Sequence, residues 1–292
     1  MNPLGEFLKT CGGRNPAALL LFLAESKHIS TYRGPTSVQD QVAAMQVAMI
    51  PTAQAMQRRN HQASRAKLET RVSAFGREVV GSIRQMRGGM PRGLVIKDLK
   101  AEFQTLYHDA YRLGMQGSSV GLIPGELPIG AEGKRWVESA FKHEMRFFNK
   151  FLAQAMNPDM PPWKIEQRVQ MYMNAVRGIY EGGRVVGSHP DSLIYWVYTP
   201  EVHHCTSCLY LRDHSPYTKR TLPTTPRVGG TECLTNCRCH LRIVISDHEL
   251  VKQTDARSLS RAAHLTFLNQ LKSRRSDAWP GSRERVGSVQ SA

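Results

Sequence analysis

The chain has 292 residues, 41% of them hydrophobic, and carries 39 Lys+Arg against 24 Asp+Glu, a formal charge of +15; its sequence pI is about 9.8 and its mean hydropathy −0.39. That apolar content excludes a wholly disordered chain, and no run approaches the roughly 18–20 apolar residues of a membrane-spanning helix. One large or two modest domains are expected at this length, and the charge favours a polyanionic neighbour, nucleic acid or an anionic membrane face.

Near the start, Ala17 to Ala24 forms an apolar run behind Lys9 and Arg14. It lies at the short end of a signal-peptide core, and Asn15-Pro16 ahead of it suits a helix start, so a short buried helix is the simpler expectation. From Ser37 to about Met86 the chain is rich in Gln, Ala, Met and Arg and is punctuated only by Pro51, which predicts two helical pieces or one helix kinked at the proline. Between Met56 and Met90 eight basic residues face two acidic ones, a local charge of +6. Arg58, Arg59, Arg65, Lys67 and Arg71 are the candidates there for phosphate contacts; a merely solvated helix face is the alternative.

Gly88-Gly89 and Pro91 break the chain, after which Leu99, Phe103, Leu106, Ala110 and Leu113 recur at helical spacing. A loop rich in Gly and Pro runs from Gly117 to Gly133. Val137, Phe141, Met145, Phe148, Leu152 and Met156 form the next stripe, and Ile165, Val169, Tyr172, Val176 and Ile179 form another that Gly182-Gly183 is expected to stop. These stripes read as core. Beyond Ser188, Leu193 to Tyr198 is aromatic and β-branched and Leu241 to Ile245 alternates, so both are predicted strands. A helix from Leu259 to Leu271 and a flexible basic tail complete the chain, with Lys272, Arg274 and Arg275 as further candidates for phosphate contact. The expected fold is therefore α+β and mainly α. Its parts are an N-terminal helical region (1–90), a helical domain (94–187), a cysteine-rich β module (188–247) and a basic helix with its tail (248–292).

Of six cysteines, Cys11 stands apart, while Cys205, Cys208, Cys233, Cys237 and Cys239 fall between the two predicted strands. The spacing is CxxC, then 24 residues, then a CxxxCxC array. Thiolates gathered this way suit a tetrahedral zinc ion better than the scattered framework of a secreted domain, and they imply synthesis in a reducing cytoplasm. The preferred ligands are Cys205, Cys208, Cys237 and Cys239, with Cys233 and His240 as alternates; all-thiolate coordination would make the ion structural. Free buried thiols and disulfides are the alternatives. His203, His204, Asp213 and His214 also cluster near this array and could serve a metal-dependent nuclease, though exposed loop residues explain them more simply.

Tyr195-Trp196-Val197-Tyr198-Thr199-Pro200-Glu201 leading into Cys205-Thr206-Ser207-Cys208, then Leu222-Pro223 and Asn236-Cys237-Arg238-Cys239-His240-Leu241, resembles the signature of the phage Mu F-like minor head proteins, also called phage head morphogenesis proteins. The likeness covers about residues 165–245 and includes Tyr172 and the Gly182-Gly183-Arg184 ending of the helix in front. The family pattern has a histidine three residues before Cys237; that position is Leu234 here, and Cys233 lies one residue earlier, which leaves the ligand set open. The resemblance implies a structural component of the phage head, assembled in the host cytoplasm and carried in the virion. Its expected partners are the portal protein or the major capsid protein, together with double-stranded DNA bound without sequence preference. No paired-carboxylate site, phosphate-binding Gly-Lys-Ser/Thr loop or Gly-x-Ser-x-Gly elbow is present, so the expected activity is binding rather than catalysis. The alternative is a zinc-ribbon nucleic-acid-binding regulatory protein outside any virion.

Overall fold

The computed structural model describes residues 38–120, 128–200 and 202–278, with side chains from Ala48 to Ser273. The apolar run near residue 20, Cys11, Glu201 and the tail beyond Ala278 lie outside the described residues. The chain divides into two units between Ala48 and Met49, and the packing below belongs to the second. In order the described chain comprises α1 (Val38–Arg87), α2 (Arg92–Ser118), α3 (Ala131–Ala155), α4 (Pro162–Gly187), β1 (Ser192–Val197), α5 (Thr206–Asp213), a 3-10 turn (Leu234–Asn236), β2 (His240–Ile245), α6 (His248–Arg257) and α7 (Arg261–Ala278). This is a mainly α fold of the α+β class, as the residue pattern predicts. No described helix is long and apolar enough to cross a membrane.

One helix continues through Pro51. It ends where expected: Gly89 has φ +100, and its N–H and that of Met90 return to the Met86 and Gln85 carbonyls, a Schellman arrangement that only a residue free of Cβ strain enters cheaply. Leu68, Val72, Phe75, Val79, Ile83 and Met86 of α1 pack with the three stripes of α2, α3 and α4 into one buried cluster. Every stripe residue named from the sequence on α2 and α4 is buried, whereas Phe141 and Met156 of α3 are only partly so. Polar residues continue the contact of α1 toward its N-terminus. Gln57 and Asn60 donate to the Ser118 and Ser119 carbonyls at the open end of α2, satisfying groups a helix terminus leaves without partners, and Gln54 donates to the Ile245 carbonyl at the end of β2.

The expected stop at Gly182-Gly183 is not observed, since α4 runs on to Gly187. The reason is packing. A Cβ on Gly183 would run into the Tyr111 carbonyl of α2, one on Gly187 into that of Met115, and one on Gly114 into the Tyr180 carbonyl. The glycines therefore form a seam along which two helix backbones touch, and tertiary contact outweighs their low helix propensity. The two strands pair antiparallel with Ile194 opposite Ile243 and Trp196 opposite Leu241, and Tyr217 adds a backbone bridge to Ile194. α5 and α6, short and weakly patterned, were not expected from the sequence. α7 starts two residues later than predicted and runs seven residues further.

Replacing Gly183 by Ala should force α2 and α4 apart and cost about 1–3 kcal/mol. Gly81→Ala, at a helical position with nothing within 4 Å of the new Cβ, should instead stabilise by about 0.5–1 kcal/mol. Urea denaturation of the two variants should move the midpoint in opposite directions.

Candidate metal centre and basic surface

All five clustered cysteines come together. Cys205 caps the N-terminus of α5 and Cys208 lies one turn in; Cys233 precedes the 3-10 turn, Cys237 closes it, and Cys239 directly precedes β2. The Cys233 Sγ is 3.5 Å from both Cys205 Sγ and Cys208 Sγ, and Cys208 Sγ is 3.6 Å from Cys237 Sγ. All five are free thiols, since these separations far exceed the roughly 2 Å of a disulfide. They match instead the edges of about 3.8 Å expected for a tetrahedron of sulfurs at the zinc–sulfur distance. Two groups of sulfurs converge within 4.8 Å, Cys205 with Cys208 and Cys233, and Cys208 with Cys237 and Cys239. The cluster could hold a metal ion. Cys233, an alternate from spacing alone, stands on the same footing as the four preferred ligands.

The surroundings suit thiolates. S–H donation from Cys208 and Cys237 holds the Cys239 thiol down to about 4, and the donor role pushes Cys208 well above its usual range. The buried indole N–H of Trp196 has no conventional acceptor and acts on Cys239 in the same direction. Hydrogen bonding from Cys205 and Cys208 likewise lowers Cys233, and the Thr231 hydroxyl lies 3.3 Å from its sulfur. Glu232 accepts from the Ser207 N–H and hydroxyl at 2.8 and 3.1 Å, tying the Cys233 loop to the first turn of α5. A carboxylate there also complements the helix dipole.

His240, the other alternate, sits on the opposite side of the strand from Cys239, as strand alternation requires. Burial lowers its pKa, and the charges that act on it are Glu181, Arg65, Arg184 and Arg227. His204, a site the spacing did not single out as a ligand, places Nδ1 3.6 Å from Cys239 Sγ while Nε2 meets the Thr199 carbonyl at 2.8 Å. Asp213 is held by Arg212, and His214 stacks on Tyr210 at 4.0 Å. Among the described residues, the groups of three or more metal-binding side chains that converge within 4.8 Å consist of cysteines.

The module is fastened to the helices by Arg184, whose Nη1 donates to Glu181 at 2.9 Å and to the Leu241 carbonyl of β2 at 2.8 Å. Arg184 and Glu181 are both buried, at 5% and 1% exposure. Alongside, the Tyr180 hydroxyl bonds to His61 Nδ1 at 2.9 Å and to Ser64 at 3.0 Å. Burial, reinforced by Arg184, Arg65 and His240, lowers the His61 pKa to about 3, so this imidazole is neutral at physiological pH.

The predicted phosphate-contacting residues of α1 are exposed, but they do not share one face. At roughly 100° per residue, Arg58 and Arg65 flank one side of the buried stripe, Lys67 and Arg71 the other, and Arg59 points away from it. Lys67 and Arg71 line a groove of about 680 Å³ between α1 and α2 together with Asp109 and Arg112, and Asp109 pairs with both arginines. Lys272 is half-buried, with its pKa lowered by that burial. Arg274 and Arg275 lie on α7, and their side chains are outside the described residues. Arg135, Lys142, Arg146 and Lys150 form a further exposed basic stripe on α3. Their spacing of seven, four and four residues, legible in the sequence beside the apolar stripe of the same segment, puts them on one helix face. Comparison with family models, with curated proteins and with solved structures gives no match.

Arg184→Met would leave Glu181 buried and uncompensated, and we expect a loss of about 3–5 kcal/mol. Removing both charges with Glu181→Leu should recover most of it, as equilibrium unfolding would show. Leu234 is 53% exposed and held at φ +52, a conformation asparagine enters more easily. Leu234→Asn should therefore raise stability by about 1 kcal/mol, read as an increase in Tm.

Proposed function

We propose that this chain is a structural minor head protein of a tailed phage, acting by binding rather than catalysis. In this reading the helical body contacts the portal or major capsid protein, the cysteine module is stapled by zinc, and the basic side chains neutralise packaged duplex DNA during head assembly, packaging or delivery. Zinc is the ion best suited to a thiolate-rich tetrahedral site. Deprotonated sulfurs are what the ion requires, and its binding would add folding free energy to a module with a small core of its own.

One observation carries the reading. Within the segment that resembles the Mu F-like head proteins, the CxxC and the Asn236-Cys237-Arg238-Cys239 array meet at one sulfur cluster, and Arg184 near the end of α4 bonds β2. Four of the residues that carry the resemblance, Cys205, Cys208, Cys237 and Cys239, are among the five that build the cluster. Exposed cations on α1 and α3 support the DNA component, because phosphate contacts need charge and reach but no base-reading geometry.

Cosedimentation with purified proheads and virions tests the assignment directly; the protein should travel with at least one of them, and absence from both would leave the zinc-ribbon regulatory reading in its place. In filter binding, affinity for duplex DNA should fall steeply with salt and be alike across sequences. Arg58→Glu with Arg59→Glu should lower affinity uniformly and reduce the log–log salt slope by about 2. An unchanged slope would remove α1 from the DNA contact.

A further inference from the structure

The cluster contains more ligands than one tetrahedral ion can use. Five sulfurs converge, and they do so as two triads that meet at Cys208 rather than as a quartet. A sixth donor stands at the edge of the second triad, beside Cys239. A carbonyl oxygen only accepts, so the 2.8 Å contact between His204 Nε2 and the Thr199 carbonyl places the proton on Nε2. Nδ1, which then carries the lone pair, faces Cys239 Sγ at 3.6 Å. Metal-bound histidines are typically oriented in this way, through a backbone carbonyl on the other ring nitrogen. The Tyr198 ring packs edge-on against the imidazole at 5.0 Å and holds it in place, and the Thr199 hydroxyl is anchored in turn on the Arg238 carbonyl.

We infer that the cysteine cluster is a two-ion centre, with a buried inner ion on Cys208, Cys237 and Cys239 that draws in His204 from the edge of the triad beside Cys239, an outer ion on Cys205, Cys208 and Cys233, and the Cys208 thiolate shared between them. The inference rests on the zinc reading above and extends it. Burial follows the same division. Cys208, Cys237 and Cys239 are buried, whereas Cys205 and Cys233 are half-exposed, so the outer ion takes its fourth ligand from solvent and the inner one is closed. The buried indole N–H of Trp196, 1% exposed, belongs to the inner site, where it acts on the Cys239 sulfur. Charge points the same way: five thiolates against two divalent ions leave a single negative charge, and the nearby Arg227 guanidinium is attracted to Cys237. One ion would leave a more negative cluster or a surplus thiol in a largely apolar setting.

The deciding experiment is metal analysis of the full-length protein purified with zinc, followed by 113Cd exchange and NMR on 15N-labelled protein. We expect two zinc ions per chain and two 113Cd resonances, with the inner one coupled to a single histidine nitrogen. His204→Ala should abolish that coupling and shift or remove the inner resonance while the outer one persists. The coupling is read on the unaltered chain, so the test survives even if the variant does not fold. One ion per chain would overturn the two-ion centre and leave the zinc reading intact. Zero ions would overturn both, and two resonances without nitrogen coupling would remove His204 from the ligand set.

Discussion

The backbone contact between α2 and α4 is the constraint from which the rest of the structure follows. Gly114 on one helix and Gly183 and Gly187 on the other allow carbonyls to sit where Cβ atoms would otherwise be. Close approach of this kind multiplies weak dispersion contacts along the seam and fixes the axial register of the helices. Register matters because α4 continues past Gly182-Gly183 by a further turn. That turn carries Arg184 to the Leu241 carbonyl and sets the point from which β1 departs.

Arg184 then does for the module what apolar area does for the helices. The module's buried cluster contains Ile194, Trp196, Leu211, Tyr217, Leu222, Leu241, Ile243 and Leu268, and its remaining buried members are Cys208, Cys237 and Cys239. The sulfurs are thus part of the core. A thiol packs there as a small hydrophobe, but five of them in mutual contact form a network with too few protons to satisfy every sulfur once any one ionises. The opposed shifts of Cys208 and Cys239 express that imbalance. A metal ion would resolve it by replacing shared protons with positive charge, and its binding would then be linked to the folding of this part of the chain.

What could be read in advance divides along the range of the forces involved. The stripes on α2, α3 and α4 were legible because helical periodicity is a local property, and Leu99, Phe103, Val169 and Val176 are buried as their spacing requires. The strands were legible from β-branched and aromatic content, and the five-cysteine cluster from spacing. Gly182-Gly183 misled because a glycine pair looks identical in sequence whether it ends a helix or lets a second helix approach. Cys233 was ranked below Cys237 and Cys239 because sequence distance to CxxC carries no information about the turn at Leu234, whose positive φ belongs to the path that brings Cys233 within reach. His204 was visible beside the CxxC but acquired its orientation only from Thr199 and Tyr198.

The charge excess, in turn, is less available than its arithmetic suggests. Arg71 is engaged by Asp109, which Arg112 also shares, and although such exposed pairs contribute little to stability, each one lowers the net field that a phosphate meets. Lys272 sits half-buried with its charge disfavoured. Arg65 leans toward the electropositive ground around His61, His240 and Arg227, where its neighbours raise the local potential. The positive charge of α1 is therefore unevenly placed, and Arg65 is the member of the predicted set that acts on His61, His240 and Arg227. His240 directly follows Cys239, so through Arg65 one part of the charge excess lies beside the sulfur cluster, which links two features of the chain that composition alone kept apart.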